Sequence, residues 1–238
     1  MHIQENSTVA NWAITQVQKR MAERHGERTG ALHASEIFQC FRKTYYQRTI
    51  GVPPLDFETI MRFAVGQSLQ EFFLGPEKEG VEAYGIILSV DRLVSGQVLE
   101  FKSTRMAYEG APKDATGKTI RGGTKVRFDP ETNPYTQEWL TRCRAYCAAH
   151  GVNKAHIIVF FIFQTVLSAW TVEFTDEELD EARQDIEERR DILTDYLDTN
   201  TVPPVTHRTS AFECKNCVFL LGCMPDLREA GLGVEDVG

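Results

Sequence analysis

Asp91, Glu100 and Lys102 are the residues in this chain whose types and spacing most directly suggest chemistry. Residues two apart in a strand share a face, so Glu100 and Lys102 point one way and Phe101 points into the other layer. The turn signal Ser95-Gly96 folds a hairpin that brings Asp91 close to the same end. Two carboxylates together repel unless a cation lies between them, and Mg²⁺ or Mn²⁺ is the hard, oxygen-seeking ion that suits them. Such a metal would polarise a phosphodiester and lower the pKa of a bound water. Lys102 would orient that water or offset charge building on the phosphorus centre. An Asp followed by Glu-x-Lys also arises by chance, on an exposed hairpin with alternating polar residues. Here Leu99 and Phe101 interleave with the charges in a strand that reads as central, where charge is costly without a function.

A second group is built of thiols. Cys40 stands alone near the start, and Cys214, Cys217 and Cys223 form a C-x2-C-x5-C run near the end. Four thiolates hold zinc or an iron–sulfur cluster, and spacing alone does not separate the two. Cys143 and Cys147 are one helical turn apart and read as packing residues. His150, His156 and His207 have no partner pattern. Tyr45 and Tyr46, flanked by Arg42, Lys43 and Arg48, suit either stacking on single-stranded DNA or packing on the core. The glycine-rich stretch around Lys118–Gly123 lacks phosphate-loop spacing.

The elements that position these groups follow from periodicity. Helices are expected over Thr8–Arg24, from an N-cap at Ser35 through Cys40 to near Gly51, and over Asp56–Leu74. Strands are expected over Tyr84–Val94 and Gln97–Thr104, then a loop over Tyr108–Thr124. A helix over Glu131–Ala149 precedes strands over Ala155–Phe163 and Ser168–Phe174. The capping box Thr175-Asp176-Glu177-Glu178 opens a long helix with Leu179, Ala182, Ile186, Leu193 and Tyr196 on one face. Pro203-Pro204 leads into the cysteine-rich tail. The reading is one α/β domain over 1–238 whose ends meet at a metal site.

Composition narrows the class. The chain has 238 residues, 25% of them charged, and a net charge of −8. That whole charge resides in Thr175–Asp198, with eleven Asp or Glu against three Arg. Lys102–Phe128 is locally basic, with seven Lys or Arg against two acids, so phosphate contact is compatible with the acidic total. The opening residues are polar, and the longest apolar run, Ile157–Phe163, is far too short to span a bilayer. A cytoplasmic location with reduced thiols is expected, and the 6 Cys read as ligands or packing residues.

Taken in order, these pieces resemble the PD-(D/E)XK nuclease superfamily, and within it the RecB-like iron–sulfur exonucleases with their CRISPR-associated members and phage relatives. The matching pieces are Cys40 with Arg42, Gly66 in Gly66-Gln67-Ser68-Leu69-Gln70, Asp91, Glu100-Phe101-Lys102, Arg142-Cys143-Arg144-Ala145-Tyr146, and Cys214, Cys217 and Cys223. The resemblance spans roughly residues 35–225.

It implies a restriction-endonuclease-like mixed central sheet flanked by helices. The nuclease core would cover about 56–198, with cluster-forming parts at 35–51 and 203–225. It implies a DNA exonuclease, a hydrolase acting on single-stranded ends with Mg²⁺ or Mn²⁺. A [4Fe–4S] cluster on Cys40, Cys214, Cys217 and Cys223 would act as a structural clamp. By position, Asp91, Glu100 and the Phe101 carbonyl would be metal ligands and Lys102 the catalytic lysine. Tyr146 would lie beside the DNA near the scissile phosphate. Two positions depart from the pattern: Gln70 replaces a common His, and Arg142 replaces a common Gln. An amide oxygen still approaches a cation, and an arginine still grips a phosphate. Glu71 beside Gln70 carries a carboxylate, but helical geometry aims it elsewhere. Partners would be DNA and repair, recombination or CRISPR adaptation proteins, with no membrane. A DNA-holding subunit without chemistry and a zinc-stapled protein without a DNA role remain alternatives.

Overall fold

In a computed structural model, the described residues are 7–24, 30–53, 55–76, 79–111, 118, 126–133, 136–207, 213–214 and 217–232. The chain forms two compact units, Gln70–Arg189 and Met1–Leu69 with Arg190–Gly238. Its architecture is mixed α/β.

Within Gln70–Arg189, hydrophobic alternation builds the sheet. Strands β2 (Glu79–Ala83) and β3 (Ile86–Val90) pair antiparallel, and Ile86, Leu88 and Val90 are fully buried. Their turn, Tyr84-Gly85, has both φ angles positive, as does the Ser95-Gly96 turn between β4 (Arg92–Val94) and β5 (Gln97–Thr104). Two positive φ values match the primed turns that favour glycine and suit the twist of paired strands. The expected strand Tyr84–Val94 is therefore two strands. Tyr84 belongs to the turn, and Asp91 sits at a bend between β3 and β4.

After β5 come the short antiparallel pair β6 (Glu109–Gly110) and β7 (Val126–Arg127) and then helix α5 (Thr136–His150). Strand β8 (Lys154–Phe161) returns parallel to β5 and pairs antiparallel with β9 (Val166–Glu173). The strand order is β4-β5-β8-β9. Ala155, Ile157, Val159 and Phe161 alternate into the core, the period-two pattern of a packed strand. Helix α5 packs on β3, β5 and β8 and buries Cys143, Ala145, Tyr146 and Cys147. It starts at Thr136 rather than Glu131, because the Asp129 carboxylate accepts from the Glu131 N–H and the Thr132 hydroxyl and forms a turn instead. Much of the expected loop Tyr108–Thr124 lies outside the described residues.

The other unit contains α1 (Ser7–Arg24), β1 (Leu32–His33), α2 (Ala34–Ile37), α3 (Phe41–Thr49) and α7 (Leu220–Glu229). The unit boundaries fall inside α4 (Phe57–Leu74) and α6 (Asp176–Asp198). The helix expected from Ser35 to near Gly51 is broken in two, and Ser35 is not its cap. Cys40 stands at the break with φ −56° and ψ 122°. The cause is local: the Cys40 N–H donates to the Glu213 carboxylate at 2.9 Å, while the Thr44 hydroxyl takes the Glu36 carbonyl that the Cys40 amide would have used. At α6 the capping box is present, with the Thr175 N–H donating to Glu178 and the Glu178 N–H donating to the Thr175 hydroxyl. Leu179, Ala182, Ile186 and Leu193 are buried along that helix.

Candidate active site and thiol cavity

The geometry of the first site begins at the bend after β3. Asp91 is buried, and both its oxygens are engaged. Oδ1 accepts from the Gln70 amide at 2.8 Å, and Oδ2 accepts from the Phe101 N–H at 2.9 Å. These bonds tie the last turn of α4 and the middle of β5 to one carboxylate. In an extended strand the N–H and C=O of one residue point to the same edge, so the Phe101 carbonyl also faces the Asp91 side. Strand β4 pairs with β5 only as far as Arg92 opposite Leu99, so β4 does not cover that edge at Phe101.

Glu100, also buried, forms an ion pair with half-buried Lys102. Burial pushes the Glu100 carboxyl up; Lys102 opposes the shift and Asp91 adds to it. Burial alone would lower Lys102, but the carboxylates of Glu100 and Asp91 outweigh it and hold the ammonium up. The site therefore concentrates two carboxylates against one ammonium. A hard divalent cation fits this donor set, because such ions take one or two carboxylates, a carbonyl and waters. Among the described residues, no three Cys, His, Asp or Glu side chains are grouped to hold an ion by themselves.

Helix α5 supplies two further groups. Tyr146 is buried, and burial together with Glu100 raises its hydroxyl pKa, so it stays protonated. Arg142, one turn earlier, donates to Glu138 at 2.6 Å, while its buried Nε has no hydrogen-bond partner. Its charge opposes the upward shifts of both Glu100 and Tyr146. Gln70 donates its amide N–H to Asp91, in place of the expected approach of its amide oxygen to a cation. The Glu138 partnership was missed in the sequence, although its i,i+4 spacing from Arg142 carried the signal.

The four thiols are handled by the unit that joins the chain ends. Cys40, Cys214, Cys217 and Cys223 line one cavity with Lys43, Glu213, Phe219 and Leu220. Burial pushes the Cys40 thiol up to about 11 and also raises Cys217. Thiol donors in a largely apolar recess are the kind a thiophilic metal group takes, but among the described residues no three of these side chains are grouped to hold one. Glu213 holds the Cys40 N–H and pairs with Lys43 at 3.2 Å, a partnership with no signal in the sequence. Around it, Arg42 donates to the Pro203 carbonyl and pairs with Asp226, and the Tyr45 hydroxyl donates to Asn200. Arg48 is bound to both oxygens of Glu36. The basic and aromatic residues after Cys40 are thus packing and pairing residues. His207 lies edge-on to Phe41 and Tyr196, with its Nδ1 buried and without a partner. His156 is bonded to Gln97 and Thr171.

No protein-family model matches the sequence, and no curated protein matches it. The fold itself has a solved counterpart. The crystal structure of SSO0001 superposes with a TM-score of 0.55 at 12% identity, covering 92% of this chain and 98% of that one. This likeness assigns the fold. LHK-Exo in complex with dAMP gives a TM-score of 0.40 at 12% identity, covering 71% of this chain and 91% of its own. The alkaline exonuclease LHK-Exo from Laribacter hongkongensis gives 0.37 at 11% identity, covering 67% and 80%.

Proposed function

We propose that this chain is a metal-dependent DNA exonuclease of the PD-(D/E)XK type, acting on single-stranded ends. The observation that carries the reading is Asp91, clamped by Gln70 and the Phe101 N–H, beside the buried Glu100–Lys102 pair. Asp91, Glu100 and the Phe101 carbonyl would hold Mg²⁺ or Mn²⁺, which supplies polarisation of the scissile phosphodiester. Lys102 orients the attacking water and offsets charge on the phosphorus centre. Arg142 exchanges Glu138 for a phosphate oxygen, using the planar donor fork suited to that partner. Tyr146, kept protonated, donates beside the cleaved strand. Gln70 fixes the Asp91 carboxylate rather than moving a proton.

For the thiol cavity we take a [4Fe–4S] cluster on Cys40, Cys214, Cys217 and Cys223 as the structural group, with zinc as its rival. An iron and acid-labile sulfide assay on anaerobically purified protein decides between them.

Incubation with end-labelled single-stranded DNA and Mn²⁺ tests the activity. Stepwise loss of nucleotides is expected, and Lys102→Ala or Asp91→Ala should slow it by about 100-fold or more. Digestion that survives both substitutions sinks this site. Salt-sensitive binding without cleavage under any divalent ion instead makes the chain a DNA-holding subunit.

A further inference from the structure

Strand β9 is the outermost strand of the order β4-β5-β8-β9, and among the described residues no strand lies along its outer edge. An open edge offers unpaired N–H and C=O groups to another extended chain. The ladder fixes which residues carry them. The Phe174 N–H donates to the Asn153 carbonyl, and bonding alternates along an antiparallel pair, so Val166, Ser168, Trp170 and Val172 bond β8. Leu167, Ala169, Thr171 and Glu173 therefore turn their backbone groups outward, and all four residues are exposed. Sheet edges are ordinarily blunted by shortness, charge, proline or a bulge. The edge strand β4 has 3 residues and carries Arg92, and β2 carries Glu79 and Glu82. Strand β9 uses no such device: it has 8 residues in unbroken one-to-one register, with no charge or proline before Glu173. It is also held in place, with Trp170 packed against Phe128 at 5.5 Å between ring centroids and the Thr171 hydroxyl bonded to His156 at 2.9 Å.

We infer that β9 is a self-pairing edge, which docks antiparallel on β9 of a second copy of this chain about a two-fold axis at Ala169. The inference is independent of the nuclease reading. An outward ladder recognises extended backbone, so the occupant is a strand. The register of β9 is complementary to itself. With Ala169 opposite Ala169 of the partner subunit, Leu167 meets Thr171 of the partner subunit, and both pairs join outward-facing residues that exchange N–H and C=O bonds. The smallest of these side chains lies on the axis, and Glu173 stands opposite Thr165 of the partner subunit, so no like charges oppose each other. Charge also selects the direction. The acid-rich run Thr175–Asp198 follows β9 directly, and parallel pairing would set two such runs side by side. Antiparallel pairing holds the two Glu173 residues about 27 Å apart, well beyond a screening length of about 8 Å. A two-fold pair is closed: each copy consumes the open β9 edge of the other, so association stops at two.

Sedimentation equilibrium of the full chain over a range of concentrations tests this. The wild-type protein should reach twice its 27.0 kDa mass as concentration rises. Ala169→Lys sets like charges opposite each other at the axis. Ala169→Pro removes an outward N–H that β8 does not use, a substitution that edge strands accept. Each should weaken self-association by about 10-fold or more. The lysine variant changes only an exposed side chain and keeps the test decisive if the proline variant does not fold. Amide exchange gives the second readout: the Leu167, Ala169 and Thr171 amides should slow with rising concentration, while Ser168 and Trp170 stay protected throughout. A wild-type chain that is monomeric at every concentration overturns the inference, as does a dimer that the lysine variant leaves at full strength. Outward amides protected equally at all concentrations would mean that the edge is covered within one chain, and protection only on adding a foreign extended peptide would assign it to another protein; either result overturns self-pairing.

Discussion

At the scale of single residues, Arg142 is the group through which the proposed contact with a phosphate is most directly tested. Its guanidinium is bound to Glu138, whose side chain is half exposed, while the buried Nε has no partner. An exposed i,i+4 pair contributes about 0.3–0.5 kcal/mol, so under the proposed function a phosphate would displace Glu138 at small cost. Glu138→Gln removes the competitor. It should tighten single-stranded DNA binding by about two-fold at low salt, measured by fluorescence anisotropy. Arg142→Ala should weaken binding and lower the salt slope by about one. Equal affinities in all three proteins would remove Arg142 from the DNA path. The pairing of Glu100 with Lys102 was legible in sequence because strand alternation places both on one face by simple counting, whereas the bend that carries Asp91 has no period to record it. Glu213 was not legible, because its contact with the Cys40 N–H spans the length of the chain and no local period records it.

Among the described elements, α5 carries more buried ionisable side chains than any other: Cys143, Tyr146 and Cys147. Cys143 and Cys147 are completely buried, and burial raises Cys143 well above the ordinary thiol value and Cys147 to about 12. Both are neutral in the fold, while the unfolded chain ionises near the ordinary value of 9.0. The unfolded state therefore binds fewer protons once pH exceeds about 9, and stability is lost as pH rises from there toward 12. Cys147→Ala should flatten this alkaline decline relative to the parent when melting temperature is followed from about pH 8 upward. Parallel declines would mean that Cys147 does not report the fold. Elements with strong periodicity, such as β5, β8 and α6, were found where counting placed them. The failures came where side chains intercepted backbone groups. Glu213 and Thr44 break the helix at Cys40, and Asp129 delays α5.

For the whole molecule, protein contacts already join the segments that carry the four thiols. Arg42 reaches Pro203 and Asp226, Tyr45 reaches Asn200, and the Phe41 N–H reaches the His207 carbonyl at 3.2 Å. A metal group would reinforce these ties by closing a very long loop in the unfolded chain. Cys217→Ala should therefore fold, and in the metal-loaded state melt about 4–8 °C below the parent, a loss of about 2 kcal/mol. In metal-free samples the two should melt close together, and an equal gap in both states would show that the cysteine merely packs. No described helix is long and apolar enough to cross a membrane. The parallel pairing of β5 with β8 has a further consequence in the order of synthesis. Glu100 stands opposite Ile157, so the strand bearing Glu100 and Lys102 has only β4 beside it until the chain has been extended through β8. Such distant pairing closes slowly. A ribosome making this protein thus carries all three charged groups of the site well before it carries the sheet that aims them.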